Sequence, residues 1–420
     1  MVKAVVFADD LTGSMDTAVK FVKAGIRTRV IPAACDDIDM DCEVLVIDTG
    51  TRHVSAEEAG RELFTLGKKM RGAGVDLFYK KTDSALRGNI GAELEGLLMG
   101  TGSRTAYFAP ALPALNRVTR GGIHYVDGVT VDRSAFGRDP FEPVTDPDVS
   151  NVVRRQTDLG VTVVGEEDEI PFDAEGIVVL DAESNERLAG IAGKTFVKAA
   201  RPLVLAGCSG FAEAVAQVIC TCKTLSREKM QARDGGILVV SGSLNARNAA
   251  QIKAGVDAGY GRVILDSDFK ASGLGSDRMS EAILAEIKRN LRDQGGCIVD
   301  VGNGAQKGAD PSKSAAEGRK IAEYMGELVN EVISSGFAGT LVIVGGDTLT
   351  GILSGIDCAL IDPICEIEPG VVFATGICSD KQFNIVTKSG GIGSEDVFAK
   401  IREFIACSGE GAEIYMGSGY

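Results

Sequence analysis

Close to the start of the chain, an apolar run ends in two adjacent carboxylates: Val5-Val-Phe-Ala-Asp-Asp-Leu-Thr-Gly-Ser-Met-Asp-Thr17. The apolar run, the small residues after it and the amphipathic segment up to Gly25 predict a buried strand, a tight turn and a helix. In an open α/β sheet, ligands bind outside the carboxyl ends of the strands, which is where this turn would lie. We therefore predict that this first turn belongs to the functional site of an α/β fold.

Asp9 and Asp10 are neighbours, and neighbouring side chains on a strand point in opposite directions. One of them can then face a ligand while the other holds the turn in place. Two acidic acceptors at this position suit a polyhydroxylated ligand or a metal ion. The alternative, about equally compatible with the sequence, is that either residue only caps the following helix.

Apolar runs alternate with segments of helical periodicity from residue 1 to about 112, and the alternation resumes after Ser150. This order predicts a mostly parallel sheet with helices on both faces. Residues 124–131 predict a hairpin with an Asp-Gly turn. Residues 223–234 are mostly polar and charged, which is typical of a linker. We therefore predict two domains, 1–230 and 235–420, each with a mostly parallel sheet flanked by helices.

A second polar turn follows the strand predicted at Leu77–Asp83, and it contains Lys81-Thr-Asp-Ser-Ala-Leu-Arg-Gly-Asn89. Arg87 offers a planar guanidinium that can hold a carboxylate by two parallel hydrogen bonds, as a sugar acid would require. An isolated arginine more often forms a surface salt bridge, but Arg87 shares the predicted sheet edge with the first turn, so we favour a ligand. Arg117 and Arg120 add positive charge nearby, and either could equally be solvated.

Three glycine-rich turns follow apolar runs in the second half: Ser241-Gly-Ser243, Gly345-Gly-Asp-Thr348 and Lys388-Ser-Gly-Gly-Ile-Gly393. Glycine lets backbone N–H groups approach a phosphate, and a helix after the turn adds its positive end. The hydroxyls of Ser243 or Thr348 and the ammonium of Lys388 suit the same ligand. Each turn alone is more often structural, but three in one domain predict a nucleotide site.

The formal net charge of −15 argues against nucleic acid or an anionic membrane as a partner, because both need a basic face. No apolar run reaches the ~20 residues of a membrane span, and the first residues offer no signal peptide, so we expect a cytoplasmic protein. The ten cysteines are scattered without the spacing of a zinc site, which predicts reduced, mostly buried thiols. His53 and His124 are too few for a histidine-rich metal site, and we assign no metal ligands.

The first turn resembles the start of the four-carbon acid sugar kinases, whose first strand runs into a similar Asp-Asp-Leu-Thr-Gly turn. The second polar turn, the segment Ala109-Pro-Ala-Leu-Pro113 and the three glycine-rich turns also resemble stretches of that family, in the family's order along nearly the whole chain. The resemblance implies that the N-terminal domain binds a sugar acid and that the C-terminal domain binds ATP. It also implies an active site in the cleft between the domains. Mg²⁺ is expected together with ATP.

Carried onto this chain, the resemblance implies a substrate site at the first two turns and an ATP site at the glycine-rich turns. The substrate-site residues are Asp9, Asp10, Asp83 and Arg87, and the catalytic base is assigned to Asp9 or Asp10. The ATP-site residues are Ser243, Gly345, Gly346, Asp347, Thr348, Gly390 and Gly391. Asp347 is the alternative base, because a Gly-Gly-Asp turn is similar to that of ribokinase-like enzymes, which is an analogy with a different family.

The chain departs from the family's usual pattern at Ala85, at 114–116 and at 244–248. These departures leave open which acid is the substrate, among threonate, erythronate and 3-oxo-tetronate, and they bear on the nucleotide contacts. A non-catalytic protein that binds a nucleotide or a sugar acid is an alternative function. A nicotinamide-dependent dehydrogenase is a weaker one, because no strand-to-helix turn has the G-x-G-x-x-G pattern. The sequence also leaves open whether the chain forms a homo-oligomer.

Overall fold

The chain forms two compact units, Met1–Ser226 and Arg227–Tyr420. The linker predicted at 223–234 lies outside the described residues, so the predicted domain boundaries stay a prediction. The computed structural model describes the residues 2–32, 39–139, 142–220, 235–265, 277–302, 311–378 and 381–408.

The first unit alternates strands and helices, as its sequence predicts. Its strands are β1 Ala4–Ala8, β2 Thr28–Ile31, β3 Val44–Asp48, β4 Leu77–Lys81, β5 Thr105–Ala109, β6 Arg117–Arg120, β7 Ile123–Val126, β8 Val129–Thr130, β9 Val161–Val164, β10 Gly176–Leu180 and β11 Leu203–Gly207. Its helices are α1 Leu11–Lys23, α2 Ala56–Gly72, α3 Ile90–Thr101, α4 Val149–Arg154, α5 Asn185–Lys198 and α6 Ser209–Ile219.

The main sheet of this unit has the order β2-β3-β1-β4-β11-β5-β10-β9, and all of its neighbouring strands run parallel. Every residue of β1, β3, β4, β5, β10 and β11 is buried, which is why these strands are nearly continuous apolar runs rather than alternating ones. The prediction of a mostly parallel sheet flanked by helices is confirmed.

A small antiparallel sheet lies outside this alternation and consists of β6, β7 and β8. The hairpin predicted at residues 124–131 is present, and its turn residues Asp127 and Gly128 both have positive φ, 50° and 81°. These are the backbone conformations that a type I′ turn demands, and an Asp-Gly pair adopts them at low cost. The sequence analysis did not predict β6, because its alternating polar residues carry little apolar signal.

The second unit restarts the alternation. Its strands are β12 Ile237–Ser241, β13 Gly261–Ile264, β14 Gly296–Asp300, β15 Thr340–Val344, β16 Cys358–Glu368, β17 Val371–Cys378 and β18 Lys381–Lys388. Its helices are α7 Ala246–Asp257, α8 Asp277–Gln294, α9 Pro311–Ser334, α10 Gly346–Gly355 and α11 Val397–Ser408.

The sheet of the second unit has the order β13-β14-β12-β15-β18-β17-β16. The first five strands in this order are parallel, whereas β18, β17 and β16 pair antiparallel. The antiparallel arm was not predicted from the sequence. Pro363 interrupts β16, and the pairing is irregular between Pro363 and Cys365, which is how a strand accommodates proline.

Both units share one feature of topology that determines where a ligand can bind. In each, the first four strands along the chain are ordered second, third, first, fourth across the sheet. The chain leaves the first strand toward one side of the sheet and the fourth strand toward the other, so the crevice between these two neighbours stays open. Such a switch point is where open α/β sheets bind ligands at the carboxyl ends of the strands.

The cysteines that the structure describes are all free thiols, and most of them are buried. Among the helices of the described ranges, none combines the length and the apolar character that crossing a membrane requires.

Candidate functional site

The switch point of the first unit lies between β1 and β4, and the turn after β1 carries Asp9 and Asp10. Asp10 is the N-cap of α1, where its Oδ1 accepts a hydrogen bond from the backbone N–H of Gly13 at 2.8 Å. The cap starts the helix at Leu11. Asp10 is therefore the member of the pair that holds the turn, although its side chain remains 27% exposed.

Arg52 joins the two carboxylates, and the sequence analysis missed it. Its Nε and Nη2 donate to Oδ2 and Oδ1 of Asp9 at 2.8 and 2.9 Å, and its Nη1 donates to Oδ2 of Asp10 at 2.5 Å. Asp9 is only 2% exposed. Burial alone would raise the pKa of Asp9, but the charge of Arg52, helped by the nearby lysines, lowers it to about 2. Asp9 is thus held as a carboxylate.

A third carboxylate, Asp48, was also missed. It is the last residue of β3, and it lies opposite Ala8 of the neighbouring β1. Its Oδ1 accepts the backbone N–H of Gly50 at 3.1 Å. Burial raises the pKa of Asp48 to about 7, and the negative charges of Asp10 and Asp9 add to the shift. A polar last residue after an otherwise apolar strand is the signal that could have identified Asp48.

The turn after β4 contains Asp83 and Arg87, which bind each other. The Nε and Nη2 of Arg87 donate to Oδ2 and Oδ1 of Asp83 at 2.9 and 3.0 Å. The backbone N–H of Ala85 also donates to Asp83 Oδ2, at 3.1 Å. The two-pronged contact expected between Arg87 and a ligand is therefore made here with a carboxylate of the chain itself. The Nη1 of Arg87 lies 3.5 Å from Oδ2 of Asp139.

Gly88 brings the second turn against the first. Its φ is +91°, and a Cβ on this residue would lie 3.3 Å from Oδ2 of Asp9 and 3.7 Å from Cγ of Arg52. A side chain here would be both strained and crowded. The structure therefore places the predicted residues Asp9, Asp10 and the turn of Asp83 at one sheet edge, together with Arg52.

Positive charge at this edge comes from several side chains with different surroundings. Lys80 is fully buried and pairs with Glu93 at 3.0 Å, so its charge is already compensated. Lys81 is 5% exposed, and its Nζ donates to the carbonyl of Thr82 at 2.7 Å. Arg117 lies over the ring of Phe136, 4.8 Å from its centroid, and its Nε has no hydrogen-bond partner within the described residues.

The alternative roles of two other residues are resolved by their contacts. Arg120 pairs with Glu183 and its side chain is 66% exposed. Of the two arginines Arg117 and Arg120, it is therefore the solvated one. His124 is fully buried between Thr119 and the carbonyl of Ser84, and burial lowers its pKa to about 4. Its imidazole is a neutral structural group at physiological pH.

The switch point of the second unit lies between β12 and β15, where the glycine-rich turns are found. Asn248 of α7 donates from Nδ2 to Ser241 Oγ at 2.8 Å and to the carbonyl of Ser243 at 3.0 Å, which fixes the turn after β12. The turn after β15 begins at Gly345, with φ +107°, and α10 starts at Gly346. A Cβ on Gly345 would lie 3.4 Å from Oγ1 of Thr348.

The turn after β18 meets the same place. A Cβ on Gly390 would lie 2.7 Å from Cβ of Ser243 and would collide with its Oγ, so only glycine permits this approach. Gln251 of α7 donates from Nε2 to the carbonyls of three consecutive residues, 392–394, at 2.9 to 3.1 Å. The structure thus brings Ser243, Gly345, Gly346, Thr348, Gly390 and Gly391 together, and it leaves Asp347 exposed in the first turn of α10.

Two models of protein domains match the chain, one on each unit. A sugar-binding N-terminal domain matches residues 4–215, and a nucleotide-binding C-terminal domain matches residues 238–398. The chain belongs to the four-carbon acid sugar kinase family.

Members of this family that resemble the chain match it over nearly the whole length. A D-threonate kinase of Salmonella typhimurium is 27% identical over 99% of this chain and 100% of its own length. A D-erythronate kinase of Heliobacterium modesticaldum is 27% identical over 94% of this chain and 95% of its own length. The crystal structure of a Haemophilus influenzae protein of the family has a TM-score of 0.74 at 20% identity, and the match covers 96% of this chain and 100% of that one. At this identity the structural match supports the fold alone.

Proposed function

We propose that the protein is an ATP-dependent kinase that phosphorylates a hydroxyl group of a four-carbon acid sugar. The observation that carries the proposal is the arrangement at the two switch points. One presents carboxylates and cations that suit a hydroxylated anion, and the other presents glycine turns and helix N-termini that suit a phosphate chain. The related kinases act on threonate and erythronate, which supports this substrate class.

For the predicted N-terminal domain, 1–230, we propose the binding of the sugar acid. Asp9, Asp10 and Asp83 supply acceptors for sugar hydroxyls. Arg87 keeps its assignment as a substrate residue through Nη1, because its other two donors hold Asp83. Lys81 and Arg117 lie at the same edge and add the positive charge that the substrate carboxylate requires.

For the predicted C-terminal domain, 235–420, we propose the binding of ATP. The backbone N–H groups at the start of α10 and the turn of Gly390 and Gly391 would face the phosphates, with the hydroxyls of Ser243 and Thr348 beside them. Asp347 is exposed at the same helix start. It therefore remains the alternative to an N-terminal carboxylate as the group that accepts the proton.

Asp10 fits the role of general base better than Asp9. Both oxygens of Asp9 are engaged by Arg52, and its lowered pKa makes it a poor proton acceptor. The oxygens of Asp10 are also engaged, one by the N–H of Gly13 and the other by Nη1 of Arg52, but its side chain is 27% exposed and can be reached by a ligand. In the proposed reaction, Asp10 takes the proton of the substrate hydroxyl while that oxygen bonds to the γ-phosphorus, and the bond from this phosphorus to the β,γ-bridging oxygen breaks. ATP supplies the phosphoryl group, and positioning by the chain supplies most of the catalysis.

Mg²⁺ with ATP stays an expectation of this proposal. Within the described ranges, no group of three or more His, Cys, Asp or Glu side chains could hold a metal ion. The described residues therefore form no protein cage for Mg²⁺. Magnesium in kinases is commonly held through substrate phosphates with only one or two carboxylates, so we assign it no protein ligands. The location of the reaction between the two domains likewise stays an expectation of the family resemblance.

The experiment that tests the proposal measures ADP formation by the purified protein with ATP and each of D-threonate, D-erythronate and 3-oxo-tetronate. We expect turnover with at least one of these acids, and a phosphorylated product in amounts equal to the ADP formed. Binding of ATP and an acid without turnover would favour the non-catalytic alternative. Reduction of NAD in the presence of the acid would favour the dehydrogenase.

A further inference from the structure

Lys388 is a buried cation at the proposed nucleotide site. It is the last residue of β18, opposite Val344 of β15, and its carbonyl accepts the backbone N–H of Gly345 at 3.0 Å. The residue is only 2% exposed. Its Nζ has no hydrogen-bond partner within the described residues. A buried ammonium without a hydrogen-bond partner costs free energy of folding, so another group is expected to compensate the charge of Lys388.

The charged groups that face Lys388 do not provide that partner. Glu368 at the end of β16 is the anion among them, and its carboxylate already accepts the backbone N–H and the hydroxyl of Ser394, both at 2.7 Å, and Nζ of Lys400 at 3.3 Å. Arg247, in the first turn of α7, is a second cation and repels Lys388. Two cations are therefore kept near each other with no anion bound directly to Lys388.

The ends of two helices point to the ligand that would compensate this charge. α7 and α10 are 12 and 10 residues long, and both begin at the turns that meet around Ser243. A helix N-terminus carries a partial positive charge and unpaired N–H groups. Lys388 lies two residues before Gly390, which packs against Ser243.

We propose that Lys388 binds a phosphate group of the nucleotide, with Arg247 as a second cation at the entrance of the site. The inference rests on the proposed function of the second unit as the nucleotide site. It deepens the suggestion made by the sequence for Lys388, because the contacts around Nζ now require an anion, and it adds Arg247. A polyphosphate supplies the hydrogen-bond acceptors and the negative charge that the described residues do not supply to Nζ.

This role has a consequence for proton binding. Burial lowers the pKa of Lys388 to about 8, Glu368 acts against this shift, and Arg247 adds to it. An anion bound to Nζ favours the charged form and raises the pKa again. At pH 8.5 the free protein should hold Lys388 mostly neutral, so phosphate binding should take up a proton. At pH 6.5 the lysine is already charged, and it should take up none.

The test is titration calorimetry of the full chain with ATP at pH 8.5, in two buffers of different ionisation enthalpy. We expect wild-type protein to take up roughly 0.7 of a proton per ATP bound, the neutral fraction for a pKa of about 8. Lys388→Arg should bind ATP without this uptake, because a guanidinium is always charged. Lys388→Met should show no proton uptake from this site, and its affinity for ATP should fall roughly 10- to 100-fold.

Lys381→Met is the matched control, because it removes one positive charge from the opposite end of the same strand, β18, where the side chain is exposed. It should keep both the ATP affinity and the proton uptake. Circular dichroism checks that Lys388→Met is folded, and Lys388→Arg tests the proton uptake without loss of charge. If both Lys388 variants kept the wild-type ATP affinity and proton uptake, the role of Lys388 would be overturned, while the proposed nucleotide site would stand. Failure of the wild-type protein to bind ATP would overturn the proposed nucleotide site together with it.

Discussion

Arg52 and Asp9 form a two-pronged ion pair at the end of the first strand, with N···O distances of 2.8 and 2.9 Å. The residues are 43 positions apart in the sequence. Asp9 is 2% exposed, and the side chain of Arg52 is 11% exposed. The pair therefore fixes the turn that carries Asp10, and it distinguishes the two adjacent carboxylates. Asp9 is buried with both oxygens bound to Arg52, whereas Asp10 caps α1, contacts Arg52 through one oxygen and stays 27% exposed.

Replacing Asp9 with Asn should destabilise the fold. Removal of one partner of a buried ion pair leaves the other charge uncompensated and costs ~3–5 kcal/mol. Arg52 keeps its contact with Asp10, so we expect the lower end of that range. Urea unfolding at pH 7 measures the change, with Asp41→Asn, at a position that is 79% exposed, as the matched control. Equal free energies of unfolding for the two variants would contradict the structural role of Asp9.

Replacing Asp10 with Asn should leave the fold intact and lower the turnover. Asn caps a helix about as well as Asp, so the hydrogen bond from Gly13 can be kept. Asn cannot accept the proton, and loss of a general base lowers the rate by roughly 10²–10⁴-fold. Turnover and melting temperature, measured on the same preparation, separate the two effects. If the variant kept full turnover, Asp10 would not be the general base, and Asp347 would be the next candidate.

Replacing Asp48 with Asn should stabilise the protein more at high pH than at low pH. The folded-state pKa of Asp48 is raised to about 7 from an ordinary value of 3.8. The unfolded chain therefore loses this proton first, and stability falls by roughly 1.4 kcal/mol per pH unit between about 4 and 7. Asn cannot ionise and avoids this loss. The free energies of unfolding of both proteins at pH 5 and pH 8 measure this loss. If the difference between the two proteins does not change with pH, the pKa of Asp48 is not raised.

Replacing Gly390 with Ala should weaken ATP binding while the fold is kept. The added Cβ would lie 2.7 Å from Cβ of Ser243, so the two turns must separate. Overpacking of this kind costs about 1–3 kcal/mol, or about tenfold or more in affinity. Gly318→Ala is the control, because this glycine lies within α9, outside the proposed site, and its Cβ would have no neighbour within 4 Å. Calorimetry with ATP compares the two, and the same affinity in both would remove the contact of Gly390 with Ser243 from the site.

The fold of the parallel sheets was largely predictable, because it depends on local patterns. Runs such as Val5–Ala8 and Leu341–Val344 are apolar over their whole length, which only a strand covered on both faces requires. The antiparallel arm of β16–β18 was not predictable in the same way. In β16, buried positions alternate with partly or fully exposed ones, and Pro363 lies inside this strand, where proline is normally excluded.

The candidate site was predictable in its residue types but not in its pairings. The motifs located Asp9, Asp10, Asp83 and the glycine turns, because polar residues and glycines directly after buried strands leave a local signal. Arg52 was missed because an arginine in a short turn has no periodicity. Asp48 was missed although it carries the same kind of signal, a polar residue at the end of an apolar strand. Arg87 was located, but its bond to Asp83 was not anticipated.

The sequence by itself therefore determined the α/β alternation, the position of each turn and the chemical groups that the turns carry, because these depend on residues that are close along the chain. Only the tertiary structure decided which charges meet and which are left without a partner. Arg52 holds Asp9 as a carboxylate, burial and the charges of Asp10 and Asp9 raise the pKa of Asp48, and Lys388 is buried with no acceptor for its Nζ in the described chain. The physical reason is that burial removes water from groups far apart in sequence, so the cost of each charge is set by its neighbours in space.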